Sequence, residues 1–422
     1  MSASASEKAN AHDHVLYWNH VTLDVFRRVG GTPGPLTRGG AMLNLAIYDA
    51  LNSVQPIGKP YLTQDATVRG RTGIVDSAVD HAAYTALTAA FPSVDMEEAF
   101  KGALALPNCG SHEDQRVGQR LGTETANAVV ADRVDDGSAD TTPYRETRLP
   151  GHWRPAPDKP AGAPNWGRVK PFTLSSGSQF RPDKPLGFTS PERLLTSAEY
   201  AAQVNEVKRI GAMHSTVRTA DQTQLAHYWA NDLEGTYKPV GQQYDHTLAV
   251  YARHSAEGTP FDSARLFTLM SVALADAAIA IWDSKYDTDW DVWRPVHAIH
   301  LADLVKNPYI EADPGWHPLE SDPAGKSFTP NFPTYVSGHS GIAAAWAGSL
   351  REHFGRDELD FSGGTDDPFA KGVVRSFSSL SAAAREKADS RKFIGVHFEW
   401  DNEAALALGY KVADHVCRAL SD

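Results

Sequence analysis

The residues best suited to chemistry gather in the last third of the chain. Lys285 and Arg294 come first, then the run Asn331-Phe332-Pro333-Thr334-Tyr335-Val336-Ser337-Gly338-His339-Ser340, then Arg391, His397 and Asp401. Two guanidinium groups, an ammonium, a hydroxyl and a glycine N–H are the donors that a tetrahedral oxyanion takes up. Arginine presents a planar fork and lysine a point charge, so together they can neutralise several oxygens. One histidine can bond to the central atom of such an anion, and the other can move a proton. Their shared chemistry is that of a phosphate-shaped pocket.

The elements around these residues have to bring them together. The stripe Phe267, Ser271, Leu274, Ala278, Ile281 advances in steps of three and four, and the next step lands on Lys285. An ammonium at the end of a buried stripe is costly unless an anion accompanies it. Asp262, after Pro260-Phe261, is the expected N-cap of that helix. Arg294-Pro295 opens another, because proline is favoured in a first turn. Ser337-Gly338-His339 begins an Ala-rich helix through His353, which adds free N–H groups and a positive dipole end. The last helices are expected over 367–388 and 396–421, with His397 and Asp401 four apart on one face. Each residue also has a plain structural reading: a helix-end cation, a salt bridge, an N-cap or a packed core imidazole. Their order and spacing together favour the site.

The rest of the chain reads as helix and loop. Helices are expected over 41–54, 74–91, 95–105, 114–132 and 245–255, with no strand-like alternation in the first half. The first ten residues are polar and expected to be disordered. His12 and His14 suggest a metal at first sight, yet residues two apart diverge on a helix, and an amphipathic helix is the favoured reading. Thr219-Ala220-Asp221-Gln222 is a capping box. Residues 150–191 and 308–333 are too rich in proline for helix interior or central strand. Trp153 and Trp166 make the first of them an ordered wrap and not a linker. The fold class expected is all-α: two packed bundles, 12–255 (including the wrap) and 256–422, the second carrying the pocket.

With 422 residues, 41% hydrophobic and 22% charged, the composition is that of a globular protein. A net charge of −12 argues against nucleic acid or an acidic membrane as partner, and makes the basic cluster more informative. Cys109 and Cys417 show no metal or redox spacing. No apolar leader and no run of about 20 apolar residues is visible, so a cytoplasmic protein is expected. The many helices are compatible with a homodimer.

The constellation resembles the type 2 phosphatidic acid phosphatase superfamily, whose pattern is Lys-x6-Arg-Pro, Pro-Ser-Gly-His and Ser-Arg-x5-His-x3-Asp. Within it the chain is similar to the bacterial vanadium-dependent haloperoxidases. That closer likeness rests on Trp282, Trp293-Arg294-Pro295, Phe332-Pro-x-Tyr-x-Ser-Gly-His, Leu45-Ala46-Ile47-Tyr48-Asp49-Ala50 and the Gly151-His152-Trp153-Arg154-Pro155 loop. It covers most of the chain, with the specific motifs in 282–401.

The resemblance implies a vanadate cofactor bonded to His397, the one metal ligand. Lys285, Arg294, Arg391, Ser337 and the Gly338 N–H would hold its oxygens, and phosphate can occupy the same place. His339 would act as acid or base, with Lys285 polarising the bound peroxide. Trp282, Phe332, Ser340 and Asp401 would form the surrounding shell or halide pocket. Hydrogen peroxide and a halide would be substrates, and a small organic molecule would be halogenated. Phe332 matches a Phe of fungal chloroperoxidases where algal bromoperoxidases carry His, which leans towards chloride besides bromide. Alternatives on the same residues are an acid phosphatase with His397 as nucleophile, and a non-halogenating relative catalysing acid–base rearrangement. Three departures stand out: eight residues separate Lys285 from Arg294 where the pattern has six, Val336 replaces Pro, and Ser340 follows His339 where fungal enzymes have Ala. Ser340 could face the apical oxygen or simply belong to the helix start.

Overall fold

Asp13 opens the first helix, α1 (His14–Val29), by accepting from the N–H groups of Val15 and Leu16. The computed structural model describes residues 13–156, 159–255 and 258–421. The expected disorder of the first ten residues, and His12, lie outside them. His14 is a satisfied core histidine: Nδ1 is 2.8 Å from Asp80 and Nε2 is 3.3 Å from the Pro107 carbonyl. Helix α2 (Pro33–Val54) begins earlier than the periodicity predicts. Pro33 and Pro35 fall in its first turn, where no intrahelical N–H is required, and Gly34 leaves room for the Trp166 ring. Then come α3 (Val75–Ala90), α4 (Glu97–Leu104) and α5 (His112–Asp132). Helices α6 (Pro191–Leu195), α7 (Ala198–Ile210), α8 (Ala220–Tyr228) and α9 (Lys238–His254) follow the Pro-rich wrap, α8 with its capping box in place.

The spine of the molecule is α10 (Pro260–Tyr286), which packs on α2 and on two later helices. Thr259 is its N-cap and Asp262 the reciprocal partner three residues on, so the predicted cap is shifted by one turn of the motif. By length and composition α10 could cross a membrane, but 94% of its apolar window is buried inside the protein, as befits a core helix. The wrap is strapped to this spine. Asp276 accepts from the N–H groups of Phe172, Thr173 and Leu174, and Arg181 forks onto Asp283 at 2.7 and 2.8 Å.

Helices α11 (Pro295–His300) and α12 (Gly338–Phe354) begin where the sequence predicts. The helix expected over 367–388 does not. Strands β1 (Phe361–Gly363) and β2 (Arg375–Phe377) pair antiparallel there, and α13 (Leu380–Phe393) starts only after the Ser379 cap. Pro368, Gly372 and the extended Arg375-Ser376-Phe377 break the helical register that the later alanines suggest. Helix α14 (Glu399–Leu420) likewise starts after His397, with Phe398 at its N-cap. A single cluster of buried apolar side chains runs from α1 to α14 and packs α10 against both halves. The architecture is all-α apart from this small hairpin.

One buried group gives the fold a pH signature. His246 on α9 lies among Trp229, Phe361 and Phe377, its Nε2 3.0 Å from the Tyr228 hydroxyl. Burial, then the Lys387 ammonium, press its pKa down to about 3. The unfolded chain takes up this proton below the ordinary histidine pKa and the folded chain does not. Folding stability from this group is therefore lost as pH falls below about 6.5. Relative to His246→Gln, the wild-type protein is expected to lose about 2 kcal/mol more between pH 7 and pH 5. Urea unfolding of both proteins at the two pH values measures this; an equal loss in both would refute it.

Candidate functional site

His397 sits on the short turn between α13 and α14. Its Nδ1 is 3.0 Å from Asp401 Oδ2, and Asp401 also accepts from the Phe398 N–H and the Thr334 hydroxyl. The His397–Asp401 pairing survives although His397 precedes the helix, because Asp401 occupies the third helical position and folds back over the cap. Burial, then Arg294, Lys285 and Arg391, hold the His397 pKa well below the ordinary value, so the ring is neutral. With Nδ1–H given to Asp401, the lone pair lies on Nε2. That nitrogen accepts from Arg294 Nη1 at 2.9 Å. Asp401 itself is raised to about 6 by burial, against the pull of Thr334 and the nearby cations.

Arg294 and Arg391 are both fully buried. Arg294 donates from Nε to the Phe332 carbonyl and from Nη1 to the Val396 carbonyl, at 2.8 and 2.9 Å. Arg391 Nη2 donates to Asp232 at 2.8 Å. Among the described residues Arg294 Nη2 and Arg391 Nε and Nη1 have no partner. Buried guanidinium donors left open are expensive, and an oxyanion would satisfy all three. Among the described residues, by contrast, no group of three His, Cys, Asp or Glu could hold a metal cation. The donor chemistry is that of an anion site.

The first turn of α12 adds backbone donors. The N–H groups at the start of a helix have no intrahelical acceptor, and Gly338 lies beside the Trp282 ring, where a Cβ would make an ordinary contact at 3.7 Å. The Trp282 indole is fixed by its Nε1 on the Gly162 carbonyl, 3.0 Å away, and its ring is 5.1 Å from that of Phe332. Phe332 in turn lies 4.7 Å from the Arg294 guanidinium carbon and 5.1 Å from Lys285 Nζ. Lys285 donates to the carbonyls of Pro333 and Thr334 at 2.7 and 3.1 Å, so one of its three N–H groups remains for an anion. Burial, then Arg294, set its pKa well below the ordinary value. Ser340 settles behind Ser337: its hydroxyl is 2.8 Å from Ser337 Oγ and 3.0 Å from the Asn402 amide oxygen.

His339 has Nε2 3.1 Å from the Ala230 carbonyl, so that nitrogen carries the hydrogen and Nδ1 is the basic one. Burial, then Arg391, press its pKa well below the ordinary value. Asp232 lies 3.7 Å from His339 and, with Glu320, flanks Arg391. Burial raises the Asp232 pKa, but His339 and Arg391 outweigh it and the carboxylate stays ionised. Glu320 goes the other way, well above the ordinary value, through burial and the neighbouring Asp232. Sequence reading missed these two acids, since neither stands at a periodic spacing from a motif. Lys387, fully buried and four residues before Arg391 on α13, did carry such a spacing; it donates to the Pro239 carbonyl at 3.0 Å.

The protonated state of Glu320 has a measurable consequence. As pH rises through its raised pKa, a second carboxylate forms beside Arg391 and repels an incoming oxyanion. Glu320→Gln is expected to match the wild-type affinity for phosphate at the acid end of the titration, where Glu320 is protonated, and to exceed it about tenfold once Glu320 ionises, one pKa unit's worth of interaction. Calorimetric titration across pH checks this, and parallel affinity curves would refute it.

Comparison with known proteins follows this geometry. Residues 265–422 match the family model described as the VCPO second helical-bundle domain. Over 93% of the chain and 80% of the relative, the sequence is 27% identical to the vanadium chloroperoxidase of Curvularia inaequalis. A solved bacterial vanadium-dependent iodoperoxidase superposes with a TM-score of 0.75 at 23% identity, covering 100% of this chain and 99% of the other. A holo-type bacterial vanadium-dependent chloroperoxidase gives 0.71 at 18% identity, over 93% of each chain. At those identities the two structures speak for the fold.

Proposed function

We propose, from the match of residues 265–422 to the VCPO second helical-bundle domain and the likeness to a vanadium chloroperoxidase, that this chain is a vanadium-dependent haloperoxidase, oxidising halide with hydrogen peroxide to a hypohalous acid equivalent that halogenates an organic molecule. One observation carries the reading. Three guanidinium nitrogens without a partner, on Arg294 and Arg391, accompany a neutral His397 whose Nε2 meets Arg294 Nη1 and whose other nitrogen is pinned by Asp401. Vanadate fits that donor set: His397 would be its protein ligand, and Arg294, Arg391, Lys285, Ser337 and the Gly338 N–H would hold its oxygens. When bound it supplies a Lewis acid that activates peroxide without changing oxidation state.

The chain's own groups account for the rest. The overall balance takes one peroxide, one halide and one proton to hypohalous acid and water. His339 Nδ1, neutral and backed by the Ala230 carbonyl on Nε2, can take the proton of hydrogen peroxide and later return it to the departing oxygen. Asp232 steadies the imidazolium that forms. The cations and the helix start supply fixed donors in a buried setting, where they act with little reorganisation. Phe332 and Trp282 exclude water from the side where Lys285 lies and suit a weakly hydrated halide. Bromide and chloride are the halides proposed.

The test is bromination and chlorination of monochlorodimedone by vanadate-free protein, with and without orthovanadate and with phosphate as competitor. Halogenation that requires vanadate and is suppressed by phosphate is expected. No halogenation, together with vanadate-inhibited phosphate release from p-nitrophenyl phosphate, would replace this reading with a His397-nucleophile phosphatase.

A further inference from the structure

Beside the buried site lies a cleft of about 320 Å³ that the reaction described so far does not use. It shares two walls with that site. One is α11, which Arg294 caps and which contributes Val296, His297 and His300; the other is the 326–331 loop leading into Phe332. Val296 and Phe328 supply apolar surface, with the buried Trp153 in the wall, and Arg154, Lys159 and Lys326 supply positive charge. Among the described residues lining it there is neither Asp nor Glu, in a chain of net charge −12. A lining of one sign against the sign of the whole protein marks a place for an anion.

The polar groups there are also left open. Among the described residues Arg154 Nε, His297 Nδ1 and Thr329 Oγ1 are buried without a partner, and all three residues line the cleft. Arg154 is steadied through Nη2 on the Arg148 carbonyl at 2.9 Å. The walls are laced together: Asn331 donates to the carbonyls of Lys159 and Pro160 and accepts from the Ala156 N–H. Apolar walls with a few open polar groups on a fixed frame describe a small-molecule site.

We propose that this cleft binds a small organic anion with a flat apolar body, such as an aromatic carboxylate, as the acceptor of the oxidised halogen. Its role as acceptor rests on the haloperoxidase reading, whereas the binding does not. With hypobromous acid the transfer balances: a ring C–Br bond forms, the ring carbon loses its proton, and the hydroxyl leaves with that proton as water. An acceptor carboxylate on Arg154 and Lys326, with its ring on Phe328 and Val296, would be held beside α11, the helix that Arg294 caps.

Three phenols of like ring reactivity and different charge test the idea: 3-(4-hydroxyphenyl)propanoate, 3-(4-hydroxyphenyl)propan-1-ol and tyramine. Calorimetry on vanadate-free protein is expected to show the propanoate binding at least about tenfold more tightly than the alcohol, with tyramine weakest. Arg154→Ala and Lys326→Ala, each checked for an unchanged thermal melt, should each erase most of that margin. In the vanadate-loaded protein the propanoate should be brominated in preference to the alcohol from an equal mixture. Arg154→Ala should abolish that preference while leaving iodide oxidation unchanged. Equal binding of all three phenols, or of none, overturns the proposal even if halide is oxidised. The expected charge ranking without any halide oxidation would keep the anion site and overturn the acceptor role together with the haloperoxidase reading.

Discussion

His397→Ala is expected to abolish vanadate-dependent halide oxidation, with a loss no smaller than the roughly 10²–10³-fold produced by removing one fixed donor from an oxyanion site. The argument lies in the nitrogen assignments. Asp401 takes the Nδ1 hydrogen of His397, burial and three cations keep the ring neutral, and Nε2 is left as the lone pair nearest the open guanidinium groups. No other group described at the site offers a neutral nitrogen so placed: His339 lies against Ala230 and Asp232. The variant should still bind phosphate weakly, since both arginines remain. A graded partner is Asp401→Asn, which keeps the contact and removes the charge; loss of such an orienting partner weakens metal affinity about 10–100-fold. Orthovanadate titration followed by halide turnover separates the two effects. Full activity in His397→Ala would sink the assignment of the ligand.

Arg391→Ala is expected to leave the Asp232 carboxylate less compensated and so cost more than its own donors. The side chain donates from Nη2 to Asp232 and keeps Nε and Nη1 open. Deleting it takes from Asp232 its hydrogen-bonded cation and leaves that carboxylate beside Glu320, which burial and Asp232 hold neutral. Oxyanion affinity should fall by two to three orders of magnitude, about 3–4 kcal/mol, since donors and compensation disappear together. Thermal stabilisation by orthovanadate or phosphate reports this without any turnover, because a ligand that binds only the folded state raises Tm with its concentration. The wild-type Tm should climb with added anion, and that of the variant should stay flat over the same range. Arg391→Lys should recover part of the shift and not all, because an ammonium restores charge but not the fork. An unaltered shift in Arg391→Ala would show that the anion binds elsewhere.

Local pattern made much of this legible. The stripe that ends on Lys285, the Pro295 start of α11 and the small-residue start of α12 are short-range signals, and the structure follows them. Where the local signal was mixed the outcome differed. The prolines at 33 and 35 read as a break with the helix beginning at Ala41, and the free N–H positions of a helix start instead made them its first turn. The alanines after residue 381 favoured a helix that Pro368 and the β1–β2 pairing shortened, since β1 and β2 meet through hydrogen bonds that no window of sequence contains.

What the sequence by itself determined is the inventory: an all-α chain, two arginines, a lysine, a Ser-Gly-His turn and a His–Asp pair at spacings that suit an oxyanion. Only the tertiary structure decided how that inventory is balanced. It set Asp232 and Glu320 on Arg391 from segments 159 and 71 residues away. It turned two of Lys285's three donors onto loop carbonyls and put Ser340 behind Ser337. It also gathered Arg154, Lys159 and Lys326 around one cleft. Residue type and helical period are written locally, one turn at a time. Burial, desolvation and the pairing of charges depend on which distant segments the core brings together, and these fix pKa and open donors.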